Sequence, residues 1–216
     1  MAVLDLSDAA VHAMLDALPS MNSGTLVLRT GSAPGIGSAE SGTLIATLTL
    51  NSTAFAAASS RKRVANSIAD VTSVASGTPG YGRFKTSGGT AVADIKAGGS
   101  WVITFSSSSG LLGTTNVAHS LVDDTAVEVF AEGAGTLPTG LTANTTYYVR
   151  SASGSTLKFA TSAGGSPIAY TDAGSGTLRL KLATTGIALQ SADGSVAAGI
   201  TVGVASAEIR IPNQTL

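Results

Sequence analysis

The feature that most constrains this chain is a change of period at Thr25. Before it, Val11, Met14, Leu15 and Leu18 recur at i, i+3, i+4 and i+7, the single apolar stripe of an amphipathic helix. After it, apolar residues fall in short runs: GTLVLRTG (24–31), SGTLIATLTL (41–50), IADVTSVASG (68–77), GYGRFKTS (80–87) and GTAVADIKAG (89–98). Gly, Ser and Pro bound these runs, as turns bound strands. The chain therefore reads as mainly β with one N-terminal helix, and the spacing fits an antiparallel β-sandwich or jelly-roll-like domain.

The helix is expected over 7–18. Ser7 can cap its first amides, Asp8 suits the positive end of its dipole, Leu6 can staple to Val11, and Pro19 ends it. Three turns are marginal alone in water, so the helix must dock. It can cover one end of its own domain or lie as an arm against a neighbouring subunit. Leu6, Val11, Met14, Leu15 and Leu18 are thus candidates for assembly contact. In SGTLIATLTL, Leu44, Ala46, Leu48 and Leu50 should share the dry face, with Thr43, Ile45, Thr47 and Thr49 on the other.

A second compositional unit is expected at 99–182, inserted in a base domain made of 1–98 and 183–216. It holds GSWVITF (99–105), TAVEVFAEG (125–133), TTYYVRS (145–151), STLKFAT (155–161), PIAYTD (167–172) and GTLRLKL (176–182), and seven of the ten aromatics of the chain. That is enough for a small core of its own. Trp101, Tyr147 and Tyr148 are either part of that core or a surface for weak contact with host-cell glycans. The closing run TVGVASAEIRIPN (201–213) puts Ile209 and Ile211 on one face.

Composition excludes more than it assigns. Twelve basic against thirteen acidic residues give a net charge of -1, without the excess that phosphate-backbone binding needs, so no nucleic acid is expected. The hydrophobic fraction of 44% is carried largely by 35 Ala scattered among Ser, Thr and Gly, and no run approaches the length of a spanning helix. Asp5, Asp8 and Asp16 and the lack of a basic start argue against a signal peptide. With no Cys there is no disulfide or thiolate site.

Catalysis finds no constellation. His12 and His119 stand apart, without ligand-type spacing to carboxylates, so no enzyme activity, cofactor or metal is expected. Asp123-Asp124 lacks the ladder of a calcium loop, and Asp193-Gly194 reads as a hairpin turn. The sharpest charge run, Arg61-Lys62-Arg63, is either a solvated loop or a contact for an acidic patch on another subunit. With the helix, the loops at 31–42 and 56–66 are the candidate contact segments. Small side chains bury little apolar area per strand, which favours oligomerisation as a further source of stability.

Several segments carry a resemblance. LSDAAVHAMLDAL, LVLRTGSAPG, SGTLIATLTLNSTAFAAA, GYGRFKTSGGTAVAD and TVGVASAEIRIPN, in this order, resemble a family of small virion proteins of tailed bacteriophages and prophages, over residues 4–98 and 183–213. The stretch from VAHSLVDDTAVEVF through TLPTGLTANTTYYV to YTDAGSGT is similar to a β-module inserted in phage tail and head-surface proteins. Arg61-Lys62-Arg63 is not part of that pattern, so its contact role rests on charge alone. The resemblance implies a structural protein that binds other virion subunits without covalent chemistry. Its leading form is a capsid decoration or cement protein on the major capsid protein lattice, made in the host bacterial cytoplasm, carried on the capsid surface and assembled as a homotrimer. The other form is a tail, baseplate or receptor-contacting protein.

Overall fold

Ser7 begins the helix from an extended backbone (φ -60°, ψ 153°), its Oγ accepting the Ala10 N–H at 3.3 Å. In the computed structural model, which describes residues 6–106, 113–143 and 145–211, α1 runs over Asp8–Asp16. Asp5, and Pro212 and Asn213 of the closing run, lie outside the described residues. The helix stops short of Leu18 because the residue before Pro19 is pushed out of the helical region. Leu18 N–H instead closes a tighter turn onto Leu15 O at 3.3 Å.

The strands follow in chain order. They are β1 (Thr25–Thr30), β2 (Leu44–Thr49), β3 (Lys62–Val64), β4 (Val71–Thr72), β5 (Pro79–Lys85), β6 (Ala91–Gly99), β7 (Trp101–Phe105) and β8 (Gly113–Thr115), then β9 (Ala126–Ala131), β10 (Thr146–Ser153), β11 (Thr156–Ala160), β12 (Leu178–Leu182), β13 (Ile187–Leu189), β14 (Thr201–Val202) and β15 (Val204–Arg210). The protein is thus mainly β with one helix among the described residues. It has a closed six-stranded barrel and two open sheets. Two compact units divide the chain: Met1–Gly98 with Gly186–Leu189 and Gly194–Leu216, and Gly99–Thr185 with Gln190–Asp193.

The first unit contains the seven-stranded sheet, in the order β2-β1-β5-β6-β13-β15-β3, and the ribbon β14-β4. Leu26 and Leu28 of β1 face Leu48 and Ala46 of β2 on one side and Phe84 and Gly82 of β5 on the other. These positions form one apolar face, on which Val11 and Leu15 of α1 are also buried. Gly82 leaves no free space there: a Cβ would meet Ile187 Cδ1 at 2.5 Å and Leu26 Cδ1 at 2.7 Å, so both side chains would have to shift.

Strand β2 departs from strict alternation. Leu28 pairs with Ala46 but Arg29 pairs with Leu44, which leaves Ile45 as an extra residue in a bulge. Ile45 and Ala46 are consequently both buried, and Thr47 and Thr49 alone keep the exposed face. Asp193-Gly194 does not form the expected hairpin. Gly194 has a φ of +75°, but β13 pairs with β15 across the sheet and β14 pairs with β4.

The second unit is the barrel, closed in the order β10-β11-β8-β7-β12-β9. Aromatic rings fill it: Phe105 meets Tyr170 edge-on with centroids 4.9 Å apart, and Tyr147 meets Phe159 at 6.2 Å. On its other face β12 carries Arg179 and Lys181, both buried. Arg179 donates to Gln190 O at 3.1 Å and pairs with Glu132 at 2.8 Å, while Lys181 donates to Thr185 O at 3.0 Å and lies 3.5 Å from Glu128. Buried charge is tolerated here because it is paired and hydrogen-bonded.

Candidate docking surface: a clamped loop and a clasped helix

Residues 31–42 join β1 to β2, and their shape is set by the polar face of the sheet. Alternation in YGRFK puts Phe84 in the core and turns Tyr81, Arg83 and Lys85 to the opposite face, with Arg29 from β1 and Asp94 from β6. Arg83, 3% exposed, is the centre of this group. It grips Asp94 through Nε at 2.6 Å and Nη2 at 2.7 Å, and donates from Nη1 to Ser38 O at 2.8 Å and from Nη2 to Gly35 O at 2.9 Å.

The rest of the loop is tied down in the same way. Glu40 accepts from Arg29 Nε at 2.8 Å and pairs with Lys85. Lys85, then Arg29, hold the Glu40 carboxyl below the usual carboxylate range against the opposing effect of burial. Asp94 raises the pKa of Arg83, which keeps the guanidinium charged. Arg29 Nη1 donates to Gly42 O at 2.9 Å, and the Tyr81 hydroxyl donates to Ser41 O at 2.9 Å while accepting Ser41 N–H at 3.1 Å.

What this clamp presents is a narrow apolar tip. Ser38 N–H bonds Gly35 O at 3.2 Å, closing a turn whose third residue, Gly37, has a φ of +94° that a side chain would strain. Ile36 stands at the tip, 52% exposed, within an uncharged stretch from Gly31 to Ala39. The stretch from Gly31 to Ala39 is thus an uncharged segment whose shape is set before any partner arrives.

The second candidate segment places α1 against residues 58–63. Asp16 Oδ1 accepts the Ala58 N–H at 3.0 Å, and His12 Nε2 accepts the Arg61 N–H at 3.1 Å. Arg61 Nη1 donates to Asp8 Oδ1 at 2.9 Å and Leu6 O at 3.0 Å, and Arg63 Nη1 donates to Leu15 O at 3.3 Å. Lys62 is buried and pairs with Glu208 at 2.5 Å, whose other oxygen takes Arg210 at 2.8 Å.

The basic run is therefore not a solvated loop. Its acidic partners, Asp8, Asp16 and Glu208, belong to the same chain, and Lys62 is turned inward because strand alternation sends it to the face opposite Arg63. Val11 and Leu15 are buried, and Leu6 and Leu18 pack partly against the same core, so the helix docks on its own unit. Met14 corrects the expected stripe: it lies at the stripe's edge and is 52% exposed.

In the barrel, Tyr147 is corrected from a surface candidate to a core residue. It is 3% exposed, and its hydroxyl accepts the Thr142 N–H at 2.7 Å. Trp101 and Tyr148 are half-buried. Asp124 Oδ1 accepts from Gly164 N–H at 2.7 Å and Arg150 Nη1 at 2.8 Å, which lowers its pKa, and Asp123 Oδ1 accepts from Ala152 N–H at 2.9 Å. Both aspartates are loop staples. Among the described residues no group of three or more His, Asp or Glu side chains converges as a metal site, and no helix is long and apolar enough to cross a membrane.

Sequence reading put loop 31–42 among the contact segments but missed its clamp. The available signal was the charge alternating with the core residues in LVLRT and YGRFK. No protein-family model, curated protein or solved structure matches this chain.

Proposed function

We propose that this chain is a structural protein of a tailed-phage virion, a capsid decoration protein that binds the major capsid lattice and stabilises the head. The observation that carries this reading is the clamped loop. A buried ion pair is a weak source of stability, yet here Arg83 and Asp94 are buried together and the remaining Arg83 donors fix both ends of the turn that carries Ile36. Fixing the uncharged Gly31–Ala39 stretch in one shape lowers the entropy lost when a partner covers it. A lattice-binding protein gains from such preorganisation because it attaches through many modest contacts at once.

The phage context rests on the segment resemblance. In this reading the first unit is sandwich-like, with α1 and the β14-β4 ribbon as the layer over the apolar face of the seven-stranded sheet, and the protein acts as a homotrimer without cofactor, nucleic acid or membrane. A tail or baseplate protein that touches host glycans is the second reading, with half-buried Trp101 and Tyr148 as the aromatic residues it would use. Mass-spectrometric identification on separated heads and tails tests the choice: recovery on heads supports decoration, and recovery only on tails overturns it. Ile36→Asp should lose attachment to heads while keeping the wild-type unfolding curve.

A further inference from the structure

The turn that faces α1 is strained. Ser59 and Lys62 exchange both backbone hydrogen bonds, at 2.9 and 3.0 Å, and the two residues between them, Ser60 and Arg61, have φ values of +49° and +59°. A two-residue hairpin with both central φ values positive is the turn that Asn-Gly fills readily. Serine and arginine hold it only where their surroundings over-determine the conformation.

The helix supplies those surroundings. His12 Nε2 holds the Arg61 N–H at the strained position, Asp8 and Leu6 O hold the Arg61 side chain, and Asp16 holds Ala58 N–H just before the turn. Every acceptor in this contact lies on the helix segment and every donor on 58–63. One of the acceptors changes character with pH: a protonated imidazole carries N–H on both nitrogens and accepts at neither.

We propose that α1 is a releasable arm and that His12 is its acid-sensitive clasp. Protonation turns Nε2 from acceptor to donor against the Arg61 N–H and puts a cation on the helix that carries the acceptors of the Arg61 and Arg63 guanidinium groups. Lys62 adds no free charge, because it is paired with Glu208, which also takes Arg210. On the helix itself Asp8 and Asp16 lie four residues either side of His12. A protonated ring draws these carboxylates toward itself and so away from Arg61 and Ala58, which loosens the same contact. The strained turn can then relax and α1 can lift from the core that Val11 and Leu15 enter. This device stands whatever the protein attaches to.

Hydrogen exchange of the full chain, corrected for intrinsic rates, tests the proposal. Lowering the pH from about 7.5 to about 5.5 should raise opening of 8–18 and 58–63 by about 5- to 30-fold, the range for losing one hydrogen bond and adding a like charge. The amides of β9 and β12 should not change. His12→Gln, which keeps an acceptor that does not titrate, should flatten the response, and Ser60→Asn should lower opening at both pH values by relieving the turn. In the wild-type protein, the midpoint of the exchange change should coincide with the ring titration of His12 read by proton NMR. A wild-type profile that is flat, a midpoint that does not follow the ring, or an unchanged response in a folded His12→Gln protein overturns the clasp.

Discussion

Arg83 on β5 and Asp94 on β6 stand directly opposite each other and meet through two hydrogen bonds of 2.6 and 2.7 Å, their side chains 4% and 6% exposed. Removing one partner strands the other. Arg83→Met should cost about 3–5 kcal/mol in urea unfolding, because Asp94 is left buried without its cation. Arg83→Met with Asp94→Leu should recover most of that loss, while amide exchange in 31–42 stays fast because Gly35 O and Ser38 O have lost their donor. A double variant whose loop is as protected as wild type would show that Arg83 does not hold it.

Glu40 gives the loop a pH dependence of definite sign. Its carboxyl is held below its usual range by Lys85 and Arg29, so the folded state binds its proton less readily than the unfolded chain. The stabilisation is present above the unfolded value and is lost as the pH falls through the depressed folded value. Glu40→Gln should therefore lower stability near neutral pH, and the difference from wild type should shrink steadily on acidification. Thermal unfolding of both proteins across the acid range measures this, and a constant offset would refute it.

Gly82 sets a limit on packing. Gly82→Val should destabilise by about 1–3 kcal/mol, because the added atoms drive into Ile187 and Leu26 and neither can retreat from a filled core. Gly88→Ala is the control: its Cβ would have only Thr86 Oγ1 nearby, at 3.8 Å, so the change should be close to neutral. Equal effects in the two variants would remove the steric argument.

These relationships mark what could be read from the residues alone. The helix cap at Ser7, its end before Pro19 and the strand character of LVLRT, TLIATLTL and YGRFK follow from local propensity and period. The bulge at Ile45 does not, because it arises from pairing with β1, and a partner strand is not visible in a local pattern. The charges proved hardest to place. Lys62, Arg83, Arg179 and Lys181 look like surface residues by type, and only the sheet register, which brings Glu208, Asp94, Glu132 and Glu128 beside them, makes their burial possible. Loop 31–42 was legible as a loop, but its clamp depends on two strands distant in sequence, β5 and β6, besides the adjoining β1.

Two tyrosines in the barrel core should respond oppositely to loss of the hydroxyl. Tyr147 OH accepts the Thr142 N–H at 2.7 Å, so Tyr147→Phe should cost about 0.5–1.5 kcal/mol. Tyr170 is 2% exposed, and its hydroxyl has no hydrogen-bond partner among the described residues. Tyr170→Phe keeps the edge-on contact with Phe105 and removes an unsatisfied group, so it should be neutral or stabilising. Burial also raises the Tyr170 pKa, since it disfavours the phenolate. The unfolded chain therefore loses that proton first as the pH rises, and wild-type stability should fall above about pH 10. Tyr170→Phe should blunt that alkaline loss, as urea unfolding on either side of that pH can show. A clear destabilisation by Tyr170→Phe at neutral pH would mean that its hydroxyl has found a partner in solution.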